Sequence, residues 1–234
     1  MNFAGQTVMI TGAAGNLGQA VASAFAAAGA DLVLLDLNDA ALAKVATKGA
    51  GDVLRQRVDL ADPASIGAAI EAAILRFGRI DALCNLAGGF HMGEKVHEIP
   101  ADQWNFMMEL NAGSVLRMSH AVVPHMLKAG GGKIVNIGAN AALSGKADMA
   151  AYVASKSAVI RLTESMAAEL RTHGINVNCV LPSVIDTPQN RTAMPKADPR
   201  KWVAPEALAD VLLFLCSPAA RAIHGAAIPV VGLS

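Results

Sequence analysis

Thr7-Val8-Met9-Ile10-Thr11-Gly12-Ala13-Ala14-Gly15-Asn16-Leu17-Gly18 is the stretch on which the reading of this chain turns. Residues 7–11 form an apolar, β-rich run, and residues 17–28 carry a helical apolar period that Gly29 stops. A strand that passes through a glycine-rich turn straight into a helix is the opening of a parallel βαβ unit. Glycines in such a turn let the backbone bend tightly and approach a pyrophosphate. The first amides of the helix then point at the anion. The stretch predicts a dinucleotide-binding turn that includes Gly12, Asn16, Leu17 and Gly18.

Working outward, the same alternation repeats. Short Val/Leu/Ile-rich runs at 32–36, 53–58, 81–86, 134–137, 177–181 and 228–231 predict strands. Helical-period segments at 40–47, 64–77, 101–127, 149–171 and 205–216 separate them, with Pro63 placed where a helix tolerates its first residue. Continuous apolar strands that alternate with helices belong to a parallel sheet covered on both faces. The predicted fold is α/β, a single-domain, Rossmann-like, doubly wound parallel sheet of about seven strands, spanning 1–234. Ligands of such sheets bind beyond the carboxyl ends of the strands.

Composition narrows the classes. Hydrophobic residues make up 53% of the 234 and charged residues 16%, which excludes intrinsic disorder. Nineteen basic residues balance nineteen acidic ones, so no electrostatic footprint for nucleic acid or an anionic membrane is expected. Charges interrupt every long apolar run, no basic region opens the chain, and the first apolar run leads into the glycine turn. Neither a spanning helix nor a secretory signal is expected, and the cytoplasm is the expected location. Cys84, Cys179 and Cys216 are odd in number, widely spaced and set in apolar runs, which predicts buried free thiols. The six histidines show no metal-ligand spacing, so no metal is expected.

Two further features carry chemistry. Asp36 ends the second strand, 24 residues past Gly12, where an acid can accept hydrogen bonds from an adenosine ribose and repel a 2′-phosphate. Leu37 follows it rather than an arginine, so NAD(H) is expected over NADP(H); Asp36 can cap the next segment as well. Tyr152 and Lys156 lie four apart on a predicted helix and hence on one face. An ammonium beside a phenol stabilises the phenolate, which suits proton transfer coupled to hydride transfer.

With these residues in place, the chain resembles a short-chain dehydrogenase/reductase over nearly its whole length, in TGAAGNLG, Asp36, Asp59, Asn85-Leu86-Ala87-Gly88, Asn111 and YVASK. The resemblance implies that Asp59 and Leu60 meet the adenine and that Ala87 and Gly88 floor the cofactor site. It also implies that Asn111 holds a relay water, that Lys156 binds the nicotinamide ribose, and that Pro182 to Thr187 anchors the carboxamide, with Ser183 where a glycine is usual. Asn16 stands where the family has a glycine, a residue type that tolerates left-handed backbone angles. A homotetramer or homodimer built on the two long helices and the last strand is a further implication.

The family's serine lies 13 residues before the tyrosine, and here that position is Ala139. Losing such a donor removes roughly 3–4 kcal/mol of transition-state stabilisation. Asn140 or Ser144 is a candidate replacement. Residues 186–202, DTPQNRTAMPKADPRKW, are similar to the substrate loop of quinonoid dihydropteridine reductases, which also lack the serine. The expected function is NAD(H)-dependent reduction of a quinonoid dihydropterin or another conjugated acceptor. Alternatives are a carbonyl or 3-oxoacyl thioester reductase and a weakly catalytic NAD-binding sensor or scaffold. A substrate loop is expected around 183–204, with Met194 and Trp202 as substrate contacts.

Overall fold

Seven strands alternate with helices in a computed structural model that describes residues 1–233. The strands are β1 (Thr7–Thr11), β2 (Asp31–Asp36), β3 (Val53–Arg57), β4 (Ala82–Asn85), β5 (Gly132–Ile137), β6 (Ile175–Pro182) and β7 (Ala227–Val230). They form one sheet in the order β3-β2-β1-β4-β5-β6-β7, with every pairing parallel. The chain winds outward from β1 in both directions, so the order reverses between β1 and β4. A crevice opens at that point beyond the strand ends.

The helices are α1 (Asn16–Ala27), α2 (Asp39–Leu42), α3 (Pro63–Phe77), α4 (Ala101–Met108), α5 (Ser114–Ala129), α6 (Ala150–Leu170), α7 (Pro188–Ala193) and α8 (Pro205–Cys216). Alternating strand residues divide the core in two. Val8, Ile10, Leu32 and Leu34 face α1 and α8, while Met9, Val33, Leu35 and Leu83 face α3, α5 and α6. Phe3 and Phe25 close the first layer edge-to-face at 4.9 Å. All three cysteines are buried and free, as their apolar settings predict.

Two expected helices differ. The segment at 40–47 is helical only over Asp39–Leu42: the amides of Lys44 and Val45 take tighter bonds to the Ala41 and Leu42 carbonyls, and Val45 enters the core. Arg55 on β3 then donates to the free Val45 carbonyl at 2.9 Å and to Thr47 Oγ1 at 3.1 Å. The long helix at 101–127 is three pieces, since a π turn over Glu109–Gly113 separates α4 from α5. Such a wide turn inserts one extra residue and rotates the side chains that follow, a device common at functional sites.

Residues 183–204 leave the sheet after β6 and return to it. A parallel bridge between Ile185 and Val203 closes the base of this excursion. Within it, α7 starts at Thr187, whose hydroxyl accepts the Asn190 amide, and Arg191 clamps Asp186 through two bonds at 2.6 and 2.7 Å. Among the described residues, no helix is long and apolar enough to cross a membrane.

Candidate active site

The turn after β1 is built around close backbone contact. Gly12 has φ +64°, and a Cβ on it would lie 2.9 Å from the Ala87 backbone. Gly18 packs the first turn of α1 on the same loop: a Cβ there would lie 2.1 Å from the Gly12 carbonyl oxygen. Thr11 Oγ1 accepts the amides of Leu86 and Ala87 at 3.1 and 3.2 Å, which ties this turn to the end of β4. Gly15 caps α1 without a side-chain bond, so no side chain competes for the first-turn amides.

A cavity of about 460 Å³ lies beyond β1 to β4. Gly12, Asp36, Asp59, Leu60, Ala87 and Gly88, all expected cofactor residues, line it together. Asp36 Oδ2 accepts the Ala14 amide and Oδ1 the Asn38 amide, each at 3.0 Å. The acid is therefore held in place by two backbone amides, while the residue that caps α2 is Asn38, whose side chain accepts the Ala41 amide at 3.0 Å. A carboxylate with lone pairs to spare, an apolar slot between Val58 and Leu60, and a glycine floor fit an adenosine and a pyrophosphate. The described residues fit a dinucleotide.

The π turn carries Asn111 into the floor. Its Oδ1 accepts the Gly89 amide at 3.0 Å, and its Nδ2 donates to the Gly89 carbonyl at 3.1 Å and to Ser155 Oγ at 2.9 Å. The loop after β4 and the start of α6 are thus stitched by one buried amide. Lys156 is buried and donates to the Ile137 carbonyl at 2.9 Å. A Cβ on Gly88 would lie 2.7 Å from Asn111 Oδ1 and 3.0 Å from Lys156 Nζ, so only glycine lets the floor pass beneath both groups.

Burial dominates the electrostatics. It pulls the Lys156 ammonium down to about 8 and pushes the Tyr152 phenol up to about 12. The sequence predicts a phenol lowered by its lysine, but in the protein alone desolvation is the stronger effect. Phe90 supplies part of that burial, with its ring edge-on to Tyr152 at 4.9 Å and 76°. Phe90 stays 58% exposed, and Met92 two residues on is also exposed. Tyr152 and Lys156 do not themselves line the main cavity, although the Lys156 ammonium adjoins Gly88, which does. A phenol and an ammonium on one helix face can exchange a proton with a bound alcohol or carbonyl oxygen.

Several expected residues play other parts. Asn16 is the first residue of α1 with helical angles, so left-handed tolerance has no role there; its Nδ2 donates to Gln189 Oε1 at 2.8 Å. Asn16 and Thr187 line a second cleft beside α7 rather than the main cavity. Leu17 packs on the core and Gly18 on the turn. Ala139 is 4% exposed in the apolar cluster that holds Tyr152, whereas Asn140 is half-buried and Ser144 is exposed. Met194 and Trp202 are half-buried, and the ring that meets Tyr152 is Phe90, not Trp202. Phe90 and Arg117, which also lines the main cavity, escape sequence reading because only the fold brings them to the site.

Comparison with known proteins accords with this geometry. The sequence model of the family described as short chain dehydrogenase matches residues 6–198. D-threitol dehydrogenase of Mycolicibacterium smegmatis is 35% identical over 240 residues, covering 97% of this chain and 92% of that one. The 2-(R)-hydroxypropyl-CoM dehydrogenase of Xanthobacter autotrophicus is 35% identical over 243 residues, 97% of each chain. Among solved structures, an NAD+-bound xylitol dehydrogenase superposes with a TM-score of 0.92 at 27% identity, over 99% of this chain and 100% of that one. None of the three is named for a pterin, so the local likeness of residues 186–202 to dihydropteridine reductases finds no counterpart in them.

Proposed function

The chain belongs to the short-chain dehydrogenase family, and we propose that it is an NAD(H)-dependent oxidoreductase interconverting an alcohol and its carbonyl compound. The observation that carries this reading is the shared floor: Gly88, which lines the same cavity as Asp36, packs against the Asn111 amide and the Lys156 ammonium. NAD(H) would be held there by Asp36 and the Gly12 turn and would supply the hydride acceptor for oxidation and the donor for reduction.

Asp36 accepts the adenosine ribose hydroxyls and disfavours a 2′-phosphate, which gives NAD(H) the preference. Tyr152 takes the alcohol's hydroxyl proton as the C–H bond breaks and returns it in the reverse direction. Lys156 orients the nicotinamide ribose and favours the phenolate electrostatically. Asn111 keeps the Gly89 loop and the start of α6 in register, so that the proton leaves through the side of Lys156. Residues 183–204, with Met194 and Trp202, close on the substrate side. Exposed apolar side chains on α5, such as Leu116, support assembly into a homodimer or homotetramer.

Ala139 favours a second reading. With no hydroxyl at that position, a conjugated acceptor such as a quinonoid dihydropterin loses less than a simple ketone does. The test follows NADH oxidation with a ketone series and with quinonoid dihydropterin, and NAD+ reduction with secondary alcohols. Turnover of alcohols and ketones that Tyr152→Phe abolishes supports the first reading. Turnover of the pterin alone supports the second. Tight NADH binding with no Tyr152-dependent turnover on any of them points to a sensor or scaffold.

A further inference from the structure

We propose that Arg117 is a positioning residue that braces the adenine end of the cofactor cavity by tying the loop after β3 to the π turn. The inference rests on that cavity holding a dinucleotide. β3 is the edge strand and pairs with β2 alone, so the loop that follows it, carrying Asp59, Leu60 and Ala61, has sheet support on one side only. The loop's own bonds are local, from the Ala61 amide to Asp59 Oδ1 at 2.8 Å, from the Asp62 amide to the Asp59 carbonyl at 3.1 Å and from the Asp59 amide to Ser65 Oγ on α3 at 3.1 Å. None of them fixes the loop relative to the opposite wall.

Arg117 on α5 supplies the missing link. Its Nε donates to the Leu60 carbonyl at 2.6 Å, Nη1 to Glu109 Oε2 at 2.7 Å and Nη2 to the Glu109 carbonyl at 3.2 Å. One planar guanidinium therefore bonds the loop on one edge and the first residue of the π turn on another, a geometry that a lysine cannot reproduce. Leu60, Glu109 and Arg117 all line the cavity, so the brace is part of its wall. The arginine side chain is 23% exposed and its Glu109 carboxylate partner 64%, so the bond to the Leu60 carbonyl is the better shielded of the two.

Gly113 makes room for it. A Cβ at this position would lie 2.7 Å from Glu109 Oε2 and 3.1 Å from Arg117 Nη2. The backbone at Gly113 has ordinary helical angles, φ −60° and ψ −41°, so its lack of a side chain serves the space above it rather than the turn. Gly113→Ala therefore disturbs the brace while leaving every hydrogen-bonding group in the protein.

Binding of ADP, which carries only the adenine half of the dinucleotide, reads this directly by calorimetry. Arg117→Met is expected to weaken ADP about tenfold, the scale of a lost bond to a charged group, with Arg117→Lys and Gly113→Ala in between because the side-chain ends that the alanine methyl meets can shift. Thermal unfolding and circular dichroism establish that the variants are folded. Folded Arg117→Met and Gly113→Ala proteins that bind ADP within twofold of the wild type overturn the brace and leave the proposed function untouched. Wild-type protein that binds no ADP removes the dinucleotide reading itself and this inference with it. Wild-type protein that binds ADP, weakens as stated in the variants, and oxidises no alcohol supports the brace while overturning the proposed reaction.

Discussion

Phe90 lies edge-on against Tyr152, with 4.9 Å between ring centroids and 76° between planes. The contact joins the loop after β4 to α6 and seals one side of the phenol. Tyr152 is the single tyrosine of the chain, so its ionisation can be followed by ultraviolet absorbance without interference from another phenol. The ligand-free protein is expected to titrate near 12, and Phe90→Ala to move the midpoint down toward the ordinary value of 10 as water reaches the ring. A midpoint that does not move would show that Phe90 has no part in the desolvation.

Lys156 gives a pH-dependent stability of definite sign. Folding lowers its pKa from an ordinary 10.5 to about 8 through burial, so between those values the unfolded chain binds more protons than the folded one. The penalty of a buried ammonium is full below about pH 8 and is relieved as pH rises toward 10.5. Chemical denaturation should find that the stability of wild type minus that of Lys156→Met increases by roughly 3 kcal/mol from pH 7 to pH 10.5. The difference between the two proteins removes most of the contributions of Tyr152 and the buried thiols, which run the opposite way, and keeps only the coupling of Cys179 to the lysine. A flat or falling difference contradicts the assignment.

Asp36 bridges the amides of Ala14 and Asn38. Asp36→Asn keeps one acceptor and removes the charge. Affinity for NAD+ should fall about tenfold, while affinity for NADP+ falls less or rises because the repulsion of a 2′-phosphate is gone. The ratio of the two dissociation constants is the measurement. An unchanged ratio would mean that discrimination lies elsewhere in the wall.

Ala139 sits in the apolar cluster with Tyr152. Ala139→Ser adds one donor to that cluster, and ketone reduction should rise, by up to about a hundredfold in kcat if the hydroxyl reaches the substrate oxygen. Reduction of a conjugated acceptor should change little. Steady-state rates on both substrates decide it, and equal gains on both would remove the reason for linking Ala139 to substrate choice.

Gly18→Ala tests the packing of the cofactor turn. Its methyl would meet the Gly12 carbonyl oxygen at 2.1 Å, with backbone rather than a flexible side chain as the obstacle. A loss of about 1–3 kcal/mol of stability is expected, together with weaker dinucleotide binding because α1 is pushed off the turn. Denaturation and NADH titration of one preparation check both effects, and a variant as stable and as tight as wild type refutes the close contact.

Local sequence determined the parts of this protein whose physics is local. Apolar runs such as 7–11 and 32–36 became β1 and β2, because a buried parallel strand needs little beyond continuous apolar side chains. The glycine turn, Asp36 and the four-residue step from Tyr152 to Lys156 depend on neighbours along the chain. Their grouping follows once strands of a doubly wound sheet end at one edge. What the sequence could not decide is whatever rests on partners far away in the chain. The helix at 101–127 carries a π turn whose Asn111 amide bonds both Gly89 and Ser155, and the segment at 40–47 stops short where Val45 enters the core. Asn16 meets Gln189, Phe90 covers Tyr152, and Arg117 holds Leu60. Burial raises the Tyr152 phenol where proximity to a lysine predicts the reverse. Periodicity and spacing report which face a residue occupies, whereas desolvation and hydrogen bonding depend on what the completed fold brings against that face.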